Sequence, residues 1–268
     1  MTSRKTKSSI KSIGQILAEE LREAIDALKG CVTPIFDVNK IGEAKLLGSA
    51  VLIEMSGAVF LCTAKHVTDA NAHSTLYIDG PSELEILAGD FYTSAEHDVA
   101  VLKLSAEQVK LFQKYAPLRA DKIGNQIQAP ACKYVEFLGF PATKNRKVYQ
   151  QNEIKGLIHS NGCTVIEISP AKVRVSFNRK RNIDAKTRRG VIAPDPHGMS
   201  GGAMFGDPVD ETAIEGKSQP KLIGISTTCP NRNEVFGTNI AVVMAIIRDA
   251  YKITLPARLN PANIQKAP

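Results

Sequence analysis

The chain has 268 residues, 43% of them hydrophobic and 23% charged, with no tryptophan; this is ordinary globular usage and excludes wholesale disorder and fibrous repeats. Five cysteines (Cys31, Cys62, Cys132, Cys163 and Cys229) are odd in number, widely spread and without a C-x-x-C pair, which argues against a zinc site or a disulfide framework and for free thiols in a reducing compartment. The formal net charge of +7 is concentrated in residues 1–11 and 174–189, so the remainder is an acidic body, unlike the continuous basic face of a dedicated nucleic-acid binder.

Taken in chain order, Ile10, Ile13, Leu17, Leu21, Ala24 and Leu28 recur at three- and four-residue steps and predict an amphipathic helix ending at Gly30. Lys11, Ser12 and Gln15 interrupt its apolar run, so neither a signal peptide nor a membrane span is expected. Docking on the following domain is the plain expectation, with a membrane-surface or partner-binding helix as the alternative. From Cys31 onward, short apolar runs punctuated by Gly, Pro, Asn and Asp predict strands at 32–36, 49–54, 58–63, 75–78, 85–87 and 100–104. Six more are predicted at 134–139, 155–158, 164–169, 174–177, 202–205 and 221–226. The 104–115 segment has room for a helical turn, 239–251 reads as a closing amphipathic helix, and the tail after Leu255 reads as loosely attached. The mostly polar stretch from Pro117 to Pro130 divides the strands into two equal sets, each large enough to close a small barrel. The expected organisation is therefore a basic segment and helix over 1–30, a first barrel over 31–120, a second barrel with the closing helix over 121–255, and a tail over 256–268.

Three local motifs carry chemistry. In Pro196-His197-Gly198-Met199-Ser200-Gly201-Gly202 a serine stands between glycines, between a loop and an apolar strand. That suits a nucleophile presented on a tight turn, where glycine permits unusual dihedrals and close approach of a carbonyl. No strand–turn–helix context surrounds it, so it differs from the G-x-S-x-G elbow of α/β-hydrolases. Leu61-Cys62-Thr63-Ala64-Lys65-His66 places a histidine at the end of a strand, a position where a lone histidine is more often structural than catalytic. In His97-Asp98-Val99-Ala100-Val101 an acid opens an apolar strand, which taken alone reads as a turn or cap residue.

Together, in the order His66, Asp98, Ser200, these motifs resemble the trypsin/chymotrypsin-like serine peptidases, with their T-A-x-H, D-[IV]-A-[VL] and G-x-S-G-G signatures. Gly48-Ser49-Ala50 and Gly224-Ile225-Ser226 add to the likeness, which spans about residues 31–250. The resemblance implies an all-β fold of two six-stranded antiparallel barrels of the chymotrypsin type, flanked by an N-terminal amphipathic helix and a C-terminal helix. It also implies roles: Ser200 as nucleophile, His66 as general base, Asp98 as the acceptor that orients the imidazole, and the Gly198 and Ser200 amides as the oxyanion hole. Such chemistry calls for no metal and no organic cofactor, and its substrate is a protein or peptide.

Departures from the family pattern refine the expectation. Val67 stands where secreted members carry a bridged cysteine, and Cys62 is expected to face the barrel interior. This points to an intracellular, bacterial-type member without disulfides, and to the cytoplasm. Met199 replaces the Asp that in many secreted members receives a new N-terminal ammonium, so the loop is expected to be ordered by packing, substrate or a partner. By the resemblance, Pro194 and Asp195 lie near the floor of the pocket for the side chain before the scissile bond, and the strand holding Ser226 forms one wall. Asp195 then either pairs with a substrate Arg or Lys or is an exposed turn acid, and His197 is an alternative selector of acidic or polar side chains. The 174–189 stretch reads as a solvated loop or as a docking or cleavage site for an acidic partner; nucleic acid is disfavoured because only Phe177 is interleaved with its cations. The N-terminal helix is the other candidate contact for a regulatory partner. A catalytically silent relative acting as a protein-binding module is the competing reading.

Overall fold

Strands account for most of the architecture in a computed structural model of the chain, which describes residues 23–39, 43–69, 75–125, 132–149, 156–183, 189–208, 219–230 and 233–260. The first half supplies β1 (Val32–Val38), β2 (Ala44–Met55), β3 (Ala58–Thr63), β4 (Leu76–Asp79), β5 (Leu84–Ile86), β6 (Tyr92–Ser94) and β7 (Val99–Lys103). They form one antiparallel sheet in the order β5-β4-β1-β2-β3-β7-β6. Ser56 and Gly57, both at positive φ (50° and 77°), turn β2 into β3; a two-residue turn of that hand matches the twist of paired strands. The edge strands β5 and β6 are three residues each and do not pair with one another among the described residues.

The second half supplies β8 (Cys132–Gly139), β9 (His159–Ile168), β10 (Lys172–Ser176), the short pair β11 (Asn182–Ile183) and β12 (Gly190–Val191), β13 (Ala203–Pro208), β14 (Lys221–Ser226) and β15 (Glu234–Asn239). Six of these close a barrel in the order β10-β15-β14-β13-β8-β9. Val135, Phe137, Val173, Val175, Met204 and Ile223 fill its interior, and the Phe137 and Phe177 rings meet edge to face at 5.4 Å. A closed six-stranded barrel beside a second antiparallel sheet, with few helices, is consistent with a two-barrel chymotrypsin-like fold.

Alternation along β2 and β3 decides where the halves meet. Ala50, Leu52 and Leu61 point into the core of the first half. Val51, Ile53, Phe60 and Cys62 point the other way, into a layer shared with Leu138, Ala203 and Phe205 of the second half. Cys62 therefore faces the layer between the halves rather than the interior of the first, contrary to the expectation. The closing helix (Ile240–Tyr251), capped by the Asn239 side chain accepting from Ala241 N at 3.0 Å, seals this layer against β7 and β14. Its Tyr251 hydroxyl donates to the Val101 carbonyl at 2.7 Å.

Other expectations shift at particular residues. The strand expected at 155–158 is not one over its described residues. There the buried Asn145 side chain accepts from Leu157 N at 2.6 Å and so takes Leu157 out of any ladder. Asn145 sits on a helix (Ala142–Tyr149) whose polar sequence offers no apolar stripe to read. Beyond Leu255 the tail is held as far as Asn260, not loose: Leu259 is buried and Arg258 donates to the Ile123 carbonyl at 3.2 Å. Most of the N-terminal helix and its basic start lie outside the described residues, as do residues 184–188 of the second basic stretch. The end of that helix is present, helical over 23–26, with Ile25 wholly buried in the shared layer. No disulfide joins the five cysteines; burial, aided by Asp207 at Cys132 and by Glu136 and Cys229 at Cys163, pushes both of these thiols up to about 12. No helix among the described residues is long and apolar enough to cross a membrane.

Candidate active site

His66 is the second residue of the helical turn Lys65–Asp69, one residue after the end of β3. Asp98 stands just before β7, which pairs with β3, so adjacent strand ends bring the two side chains together. The His66 Nδ1 lies 2.8 Å from Asp98 Oδ2, and the His66 amide donates to Asp98 Oδ1 at 3.0 Å. Asp98 adopts φ +48°, a left-handed conformation that a short polar side chain tolerates and that aims both oxygens at His66. Burial pushes the Asp98 carboxyl up, but hydrogen bonds from the His66 ring and amide, with the charges of His66 and Lys65, together hold it below the ordinary carboxylate value. The pair is only partly enclosed, with 45% of the His66 side chain exposed, so its ring is accessible from the cleft.

Ser200 comes from the second half, on the turn that leads into β13. Glycine is required on both sides of it. A Cβ at Gly201 (φ +86°) would lie 1.9 Å from the Ser49 carbonyl oxygen, and one at Gly198 (φ +91°) 2.7 Å from that of Phe140. The loop is fastened carbonyl by carbonyl. His197 O accepts from Ala142 N at 2.8 Å, Gly198 O from the Ser49 hydroxyl at 2.9 Å, Met199 O from the Ser226 hydroxyl at 2.9 Å, and Ser200 O from Ser49 N at 2.8 Å. With every carbonyl turned away, the Gly198 and Ser200 amides have no acceptor among the described residues. Two uncommitted N–H groups beside a serine hydroxyl are what an oxyanion would need. Met199 is 2% exposed and packs in the barrel core, so packing and hydrogen bonds hold this loop.

The Ser200 hydroxyl donates to the Thr227 carbonyl at 2.6 Å, and among the described residues no hydrogen bond joins it to His66. Both line one cleft of about 380 Å³. Asp195, His197 and Ser226, expected from the sequence to border the substrate pocket, line the same cleft. Ser226 does so as a buried clamp of the loop; its hydroxyl is spent on Met199 O. Asp195 is paired with Arg179, Nη1 to Oδ2 at 3.0 Å, so the acid is not a lone turn charge. Sequence reasoning missed Arg179, read as part of a solvated basic loop, and Thr227, which no motif marks; Ser49 was visible only as part of Gly48-Ser49-Ala50. Among the described residues no group of three or more His, Cys, Asp or Glu is placed to hold a metal ion.

No known family matches the sequence, and no curated protein is similar to it. Among solved structures, the apo crystal structure of the MamO protease domain from Magnetospirillum magneticum is similar over 83% of this chain and 98% of that one, at 13% identity and a TM-score of 0.48. A likeness that loose bears on neither chemistry nor substrate, so the description of the fold rests on the strand order itself.

Proposed function

We propose that this protein is a serine endopeptidase that hydrolyses protein substrates through His66, Asp98 and Ser200. The observation that carries the reading is the His66–Asp98 pair facing the same cleft as Ser200, whose turn leaves two amides uncommitted. His66 removes the Ser200 proton as Oγ attacks the scissile carbonyl carbon, while Asp98 accepts the other ring N–H and stabilises the imidazolium. The Gly198 and Ser200 amides receive the oxyanion, an interaction worth roughly 2.7–4 kcal/mol for one good donor. His66 then protonates the leaving amine, and water repeats the sequence on the acyl-enzyme. A cytoplasmic setting without disulfides fits a regulated protease with few substrates, and the N-terminal helix and the 174–189 stretch are the surfaces proposed for a regulatory partner.

A second reading, a catalytically silent binding module, is favoured by one observation: the resting Ser200 hydroxyl is bound to Thr227 O and not to His66. Labelling with a fluorophosphonate separates the two. The peptidase reading expects stoichiometric labelling that Ser200→Ala and His66→Ala each abolish in folded protein. Absence of labelling in the wild type, or labelling that survives Ser200→Ala, rejects it.

A further inference from the structure

The cleft beside Ser200 holds two opposite charges that occupy one another. Asp195 Oδ2 receives Arg179 Nη1 at 3.0 Å, and Asp195 Oδ1 receives the His197 amide at 3.1 Å. Arg179 is itself tethered: its Nε donates to Ala193 O at 3.1 Å and its carbonyl accepts from Ala193 N at 2.8 Å. Both carboxylate oxygens are therefore engaged, and Arg179 is held in place by one guanidinium contact and one backbone contact besides the acid. Around the pair the lining is mixed, with the apolar Phe137, Met199 and Val235 beside the polar but uncharged Ser226, Thr227 and Thr228. A cleft of about 380 Å³ has room for an aromatic or long aliphatic side chain.

A cationic side chain entering this space would have to take Asp195 from a bidentate-capable guanidinium that is already in position. An anionic one would have to share Arg179 with a carboxylate 3.0 Å away. An uncharged side chain meets neither obstacle and packs against a lining of apolar and uncharged polar groups. We propose that Arg179 neutralises Asp195 and makes this cleft a receptor for an uncharged side chain, so that Asp195 confers no preference for Arg or Lys. The proposal rests on the peptidase reading for its meaning in catalysis, but the pocket chemistry is tested without turnover.

The test is equilibrium binding of benzyl alcohol, benzamidine and benzoate to the full chain, read from the amide resonances of Thr228 and Cys229, which line the cleft. In the wild type benzyl alcohol binds at least tenfold more tightly than either ion. Arg179→Met frees Asp195 and raises benzamidine at least tenfold relative to benzyl alcohol; Asp195→Asn frees Arg179 and raises benzoate likewise. Because either variant alone shifts its ion at least tenfold relative to benzyl alcohol, one that fails to fold leaves the other decisive. Preference of the wild type for benzamidine or benzoate, absence of binding by all three probes, or unchanged relative affinities in the folded variants overturns the proposal. Failure of fluorophosphonate labelling with the probe ranking intact would reject the peptidase reading alone.

Discussion

Replacing Ser49 with alanine removes one oxygen and strands two backbone groups. The Ser49 hydroxyl donates to Gly198 O at 2.9 Å and accepts from Phe140 N at 2.9 Å, and the residue has no exposed surface. It thus joins a strand of the first half to the serine loop and to the segment after β8. In Ser49→Ala neither group has a replacement partner, and the space left by one oxygen is small for a water needing several partners. An unsatisfied buried polar group costs about 1–3 kcal/mol, so the pair is expected to cost about 2–5 kcal/mol. For a chain of this size that corresponds to a fall in Tm of about 5–15 °C. Ser169 is the control, since it makes the same two kinds of bond, accepting from Lys172 N at 3.1 Å and donating to Lys172 O at 3.4 Å, but toward solvent. Water replaces those bonds, so Ser169→Ala is expected to cost less than about 1 kcal/mol. Calorimetry or thermal circular dichroism on both variants decides the matter. A Ser49→Ala Tm within about 2 °C of the wild type, or equal effects in the two variants, would refute the reasoning. Fluorophosphonate labelling should also slow in Ser49→Ala, because the Gly198 amide loses the anchor that aims it.

Gly201→Ala places a Cβ 1.9 Å from the Ser49 carbonyl at φ +86°; a loss of more than about 4 kcal/mol is expected in denaturant titration, and a near-neutral result would mean the turn is drawn wrongly. Met199→Asp puts a carboxylate into the barrel core, at a position only 2% exposed; destabilisation that is relieved as pH falls and the acid protonates is the expected pattern, and pH-independent stability would contradict it. Asp98→Asn keeps the fold but leaves His66 with the wrong proton arrangement, lowering turnover by roughly 10⁴-fold in peptide cleavage or probe kinetics; a loss below tenfold would remove Asp98 from the mechanism. The Asp98 carboxyl is held below its ordinary value in the folded protein, so its contribution to stability is complete above the unfolded value and is lost as pH falls through the folded one. The stability gap between wild type and Asp98→Asn should accordingly shrink on acidification, and a gap that widens would reverse the assignment.

Much of this protein was legible in its order of residues. Short apolar runs bounded by turn residues predicted the bounds of β3 and β14 without error, and a helical apolar stripe the closing helix to within its cap. Glu234–Asn239 escaped because Gly237 and polar residues break the alternation. Three short motifs, weak singly, marked His66, Asp98 and Ser200 as candidates through the resemblance they carry together, and the structure pairs His66 with Asp98 and sets His66 and Ser200 on one cleft. What tertiary structure alone decided lies between residues far apart in the chain. Period-two alternation says that Cys62 and Leu61 face opposite ways, but only the second half's arrival shows which face becomes the shared layer. Likewise the chain records an acid at position 195 and a cluster of cations near 180, and each alone suggested a charge open to a partner. Their pairing across the cleft is a contact between the turn after β10 and the loop before Ser200. No local propensity encodes it, because an ion pair depends on where two backbones are carried by the closing of a barrel.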